Sequence, residues 1–223
     1  MNAINTRTSV AELLRNPDTC LGHACEDART GGLTAFLLLL SLAGSAAFGF
    51  AIGSFAGWGV AFLDAAKMAG IVLFSFALCY PTLYVFSALG GCKLSPKRLL
   101  ALGLVPMAVL GCLLAALSPI MWLFSVSTEL VGFIMFFSCA LAAVAVCFAQ
   151  RPLLCAKERG LVISLVGMRV WFFVLIVVAL QSVTLVRPML SPLGAERTPQ
   201  GKCFFLEHFK CALFEMSGDC RSR

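Results

Sequence analysis

Charge is what this chain has least of. Asp, Glu, Lys and Arg together make up 13% of its 223 residues, against about 25% in a typical soluble domain. Apolar residues make up 60%. So few charges cannot cover a soluble fold of this length, which excludes that class and turns the apolar surface toward lipid. Period-2 alternation is missing too, and membrane β-strands need it to separate a lipid face from a lumen face. Backbone polar groups in lipid must then be satisfied within each segment, and only the helix does that. The expected fold is all-α, a polytopic transmembrane helix bundle.

Motifs that carry chemistry are also absent. There is no GxSxG, HExxH, Walker-type loop or dinucleotide fingerprint. No Asp, Glu or His falls in the apolar centre of a run, where a proton relay, ion ligand or general base would sit. His208 beside Glu207 has no nucleophile near it and reads as a solvated helix face. Cys20-Leu-Gly-His-Ala-Cys25 offers three zinc-competent side chains but no fourth ligand nearby, and a structural site needs four. These are expected to be reduced thiols. No catalytic residue, metal or cofactor is assigned. The net charge of +6 comes from 17 basic residues scattered between apolar runs. Nucleic-acid binding wants a basic stripe interleaved with aromatics, so no nucleic-acid partner is expected, and the cations read as a topology signal.

What is present in quantity is long apolar run. Five spans are expected at about 33–55, 68–89, 99–126, 130–149 and 163–187, each long enough for a hydrocarbon core of about 30 Å. They divide the chain into a head (1–31), a transmembrane bundle (32–189) and a tail (190–223). Leu33–Leu42 has the look of a signal-peptide core, yet 32 residues precede it and the run continues past Phe50. An uncleaved first span is expected. In the head, Ser9-Val-Ala-Glu12 has capping-box spacing, and Val10, Leu13 and Leu14 share a face. That segment reads as a short amphipathic helix, either a cap on the bundle or an interfacial anchor or partner-binding helix.

Within the first span, Gly49, Gly53 and the following Gly57 have GxxxG spacing. Small residues let helices approach closely in lipid. The face serves packing within the fold or, alternatively, a protein partner or homo-oligomer. The segment from Trp58 to Lys67 holds two charges, Asp64 and Lys67, and is expected to return along the membrane interface. The second span is interrupted by Pro81, which removes a backbone donor, with Ser75 or Thr82 available to cover the freed carbonyl. Tyr80 and Tyr84 are four apart and, with Pro81 and Thr82, form a candidate polar seam. The third span carries Pro106 and Pro119, exceeds the length needed, and is expected to be tilted or broken, with Trp122 near an interface. It forms a hairpin with the fourth. In the fifth, Arg169 and Arg187 bracket 17 residues. Arg169 falls close enough to the edge to snorkel, so both arginines read as membrane-boundary collars.

Five spans put the two ends on opposite sides. Arg7, Arg15, Arg29, Lys93, Lys97, Arg98, Arg151, Lys157 and Arg159 fall on the head's side, against Lys67 alone in the loops of the other. The positive-inside rule then places the N-terminus in the cytosol and the tail outside the cytoplasmic membrane, although six cations from Arg187 onward work against it. Outside, Cys203, Cys211 and Cys220 meet an oxidising compartment where disulfides persist. Three cysteines allow one bridge and a leftover thiol, or an intermolecular bond.

Three stretches carry a resemblance: Tyr80-Pro-Thr-Leu-Tyr-Val-Phe-Ser-Ala-Leu-Gly90; Arg169-Val-Trp171; and Leu185-Val-Arg-Pro188 leading to Ser191-Pro192 and Phe204-Phe205. Together they resemble a family of bacterial integral membrane proteins loosely similar to Yip1-type proteins. The resemblance covers about residues 60–210 and implies five spans with a cytosolic N-terminus. The Asp-Leu-Tyr-Gly-Pro motif of the eukaryotic Yip1 proteins is absent, so no vesicle-trafficking role is implied. The function expected is that of a non-catalytic scaffold or assembly subunit in the lipid bilayer. A transporter or channel subunit with its path at the second span is the alternative, and a membrane-embedded enzyme the third.

Overall fold

An apolar run in lipid closes every backbone bond on itself, and in this chain each of the five runs does so as a helix. A computed structural model describes residues 30–89, 95–128, 130–152 and 165–185. Among these, 96% are helical and there is no strand. The elements are α1 (Thr30–Gly53), a 3₁₀ turn (Ser54–Ala56), α2 (Trp58–Leu89), α3 (Pro96–Ser127), α4 (Val131–Ala149) and α5 (Leu165–Leu185). All five α-helices are long and apolar enough to cross a membrane. The class is therefore an all-α bundle of a multi-pass membrane protein, as expected. The head with its capping box, Cys20–Cys25, Cys92, Cys155, Arg187 and the tail with Cys203, Cys211 and Cys220 lie outside the described residues.

The main departure from expectation is at the start of α2. The segment Trp58–Lys67 does not return along an interface; it forms the first turns of a continuous 32-residue helix. The reason lies in Gly57. Its φ of 112° closes the 3₁₀ turn in a conformation open mainly to glycine, and its N–H donates to the Ser54 carbonyl. The chain reverses within a few residues, and Ala61 N–H already bonds the Gly57 carbonyl at 3.0 Å. No interfacial segment is needed.

Helix α3 is the centre of the bundle. It opens on Ser95, with Pro96 in the first turn where a missing donor does no harm, and Leu99 N–H bonds the Ser95 carbonyl. From Leu99 to Cys112 nearly every residue is buried. α1 packs along it, and two glycines set the closest approach. A Cβ on Gly111 would lie 2.7 Å from Ser41 Cα and 2.9 Å from the Leu40 carbonyl, and one on Gly44 would collide with the Gly111 backbone. Two backbones in direct contact leave no room for side chains between them. The helix is unbroken through both prolines. At Pro119 the carbonyl freed four residues back is covered, since Ser118 Oγ donates to Ala115 O at 2.9 Å.

The other helices surround this pair. α2 lies on α1, α5 on α2, and α4 on α3. Phe124 of α3 meets Phe137 of α4 with ring centroids 4.5 Å apart, and Phe133 stacks on Phe137, which fixes the expected α3–α4 hairpin. Large apolar side chains such as Phe62, Leu73, Phe74 and Leu78 point outward, as lipid-facing residues do. Trp58 and Trp122 are both exposed and both sit at the end of the bundle that holds Gly57, where an aromatic belt would lie.

Candidate functional site

A helix end that must be reversed tightly also brings its next turns against the helix it left. Here that puts Asp64, seven residues into α2, against the glycine face of α1. Asp64 is 1% exposed. A Cβ on Gly53 would lie 3.0 Å from Asp64 Cβ and 3.1 Å from Oδ2, and one on Gly49 would lie 2.7 Å from the Asp64 carbonyl and 2.6 Å from Met68 Cγ. Gly49 and Gly53 thus cut a notch in α1, and Asp64 fills it. Gly57, third in the spacing, lies beyond the helix and turns the chain instead.

The charge in the notch is half-compensated. Lys67, one turn on and on the same face, places Nζ 3.0 Å from Asp64 Oδ1. Oδ2 is buried with no hydrogen-bond partner. A buried acceptor left unsatisfied costs about 1–3 kcal/mol, more for a charged group, so this is the most strained electrostatic position among the described residues. Asp64 is also their single carboxylate. Beside the notch, Ser54, Phe55, Ser125, Val126 and Thr128 line an open pocket of about 410 Å³. Ser54 Oγ donates to Ala51 O at 2.7 Å and lies 3.5 Å from Ser125 Oγ, which in turn reaches Ile52 O at 3.4 Å.

Sequence reasoning missed this position because two charges within four residues ordinarily mark a loop. The signal that would have found it is the i,i+3 spacing of Asp64 and Lys67, directly after two glycines four apart. Ionisable residues within spans are the usual pointer to function, and the sequence had offered only Arg169. That arginine is exposed in the first turns of α5.

The Tyr80–Tyr84 stretch is distributed rather than gathered into one lining. Tyr80 OH donates to the Pro96 carbonyl at 2.9 Å and ties the end of α2 to the start of α3. Pro81, Thr82 and Tyr84 are exposed. Thr82 Oγ1 donates to Cys79 O at 2.7 Å, not to the Ala77 carbonyl that Pro81 frees, and Ser75 Oγ is buried without a partner. Cys79 O also accepts from Trp171 Nε1 at 2.8 Å. Trp171 is fully buried, edge-on to Phe76, and reaches to within 3.5 Å of the Cβ position of Gly103. Two of the three motif stretches, Tyr80-Pro81 and Arg169-Val-Trp171, therefore meet in one packing cluster.

Comparison of the chain with protein-family models, curated proteins and solved structures finds no match. The resemblance to Yip1-type proteins rests on its short motifs alone.

Proposed function

We propose that this protein is a non-catalytic scaffold or assembly subunit of the cytoplasmic membrane. The observation that carries the reading is that several of the described hydroxyls are used within their own helices. Ser45, Thr82, Ser118, Ser138 and Ser182 donate to carbonyls of their own helices, three or four residues back. α1 and α3 meet backbone to backbone at Gly44 and Gly111. With these hydroxyls used inside their own helices, and Ser75 and Asp64 as the buried exceptions, the arrangement supports a bundle that offers surfaces to partners and lipid rather than a lined path. Its N-terminal head would be cytosolic and its tail external. The described cations support that threading: Lys97, Arg98, Arg151 and Arg169 lie toward the end holding Ser95, and only Lys67 toward the other. Outside, Cys203, Cys211 and Cys220 would form one bridge and leave one thiol, or pair between chains. Membership of the Yip1-like group is part of the same proposal.

A transporter subunit is the second reading, favoured by one observation, the buried and half-paired Asp64. Reconstitution separates the two. As a scaffold, the protein leaves ion and solute flux in proteoliposomes equal to that of empty vesicles, and its removal from cells lowers the level of a specific membrane partner. Flux above empty vesicles that is lost in Asp64→Asn supports transport instead. Threading is tested by a membrane-impermeant maleimide on intact cells after reduction. Tail cysteines are expected to label while Cys20 and Cys25 do not; the reverse pattern inverts the topology.

A further inference from the structure

The two oxygens of Asp64 have different surroundings. Oδ1 faces the Lys67 ammonium at 3.0 Å, while Oδ2, on a residue 1% exposed, faces α1 with no donor. From α1 the contact is made by Gly49 and Gly53, neither of which titrates; from α2 the facing charge is Lys67. We propose that Asp64 is a reversible proton-binding site, with Oδ2 as the atom that takes the proton.

The surroundings select the ligand. A Cβ on Gly53 would already lie 3.1 Å from Oδ2 and 2.8 Å from Ala61 Cα. A metal ion such as calcium needs six or more oxygen ligands around it, and among the described residues no group of three His, Cys, Asp or Glu side chains could hold one. Among the described residues, the notch lacks the donors for a metal's shell. A proton needs no such shell. It also removes the one feature of the site that is costly, an unsatisfied charged oxygen in a dry contact.

Access is adjacent. The open pocket lined by Ser54, Ser125 and Thr128 lies at the same turn, one residue along the chain from Gly53, and would be the way in for water. The proton comes from solvent, forms an O–H bond at Oδ2, and returns to the same pool. Oδ1 remains an acceptor for Lys67 Nζ, while the carboxylate itself becomes neutral. One protonation thus adds a net positive charge at the α1–α2 contact, where two glycines have cleared the space that holds the helices together. This makes the hairpin responsive to pH whether or not the bundle moves a solute.

The test is infrared difference spectroscopy on the full chain in lipid nanodiscs, with the pH stepped in both directions. A protonated carboxylic C=O band should appear on acidification and vanish on return. It should be absent in Asp64→Asn, and its midpoint should move in Lys67→Met. Sodium or calcium at fixed pH should leave it unchanged. If Asp64→Asn does not fold, ¹³C-labelled aspartate shows that the band belongs to one of the four aspartates, and its shift in Lys67→Met, the residue paired with Asp64, carries the assignment. The proposal is overturned by spectra in which no band depends on Asp64, by a band that persists at every pH, by one indifferent to Lys67→Met, or by displacement of the proton by either cation.

Discussion

Helices α3 and α4 are both strongly apolar, yet their surroundings are opposite. In the apolar stretch of α3, 78% of residues are buried within the protein, against 17% for α4. In water, such similar helices would compete for the same core. In a bilayer they do not, because lipid tails are as apolar as leucine and burial brings no hydrophobic gain. Position is settled by how closely a backbone can be approached. α3 has Gly103 and Gly111 where α2, α5 and α1 cross it. α4 touches α3 mainly through a strip of aromatics and shows the rest of its surface outward.

That contrast can be broken most severely at the crossing of α1 and α3. Gly111→Leu sets a side chain where Ser41 Cα is 2.7 Å from the Cβ position. Overpacking costs typically about 1–3 kcal/mol, and backbone cannot yield as a side chain does, so this variant is expected at or above the top of that range. Size-exclusion chromatography and thermal unfolding in detergent should show loss of the monodisperse, folded species. Gly53→Val attacks the same kind of contact one helix over. It drives a branched side chain into Ala61 and Asp64, with an expected loss of about 1–3 kcal/mol. Cysteine pairs placed across α1 and α2 should cross-link less efficiently in that variant.

The first of these contacts was only half legible in the sequence. Five apolar runs gave five helices, with ends within a few residues of expectation for α1, α3, α4 and α5. The exception, α2, begins ten residues earlier than the charges at Asp64 and Lys67 suggested, because those charges neutralise one another and the acid lies in a glycine notch. Charge in sequence marks the membrane edge only when it is solvated. Gly49 and Gly53 were recognisable by spacing, whereas Gly44 and Gly111 lie in different helices and share no local pattern. Trp171 carried a motif, but its hydrogen-bond partner is 92 residues away at Cys79, a contact no local reading gives. Hydropathy likewise made α3 and α4 look alike.

Smaller effects sharpen the contrast. Trp171→Phe keeps the ring against Phe76 but removes the donor to Cys79 O. A net hydrogen bond is worth about 0.5–1.5 kcal/mol, and some further loss comes from the smaller ring, so a modest drop in unfolding midpoint is expected without loss of fold. Ala143→Leu on the outward face of α4 is expected to change stability by no more than about 0.5 kcal/mol, as surface substitutions do. Ala143 is exposed, and a larger apolar group there meets lipid. A strong destabilisation by Ala143→Leu would mean that α4 is packed against something other than lipid.

The most direct measurement labels the unmodified protein from within the bilayer. A photoactivated carbene dissolved in the lipid, followed by peptide mapping, reports which side chains face hydrocarbon. The structure predicts heavy insertion along Val131–Ala149 and on the Leu73, Phe74 and Leu78 side of α2. It predicts almost none from Leu99 to Cys112. Labelling of Leu99–Cys112 as heavy as that of α4 would contradict a bundle built around α3.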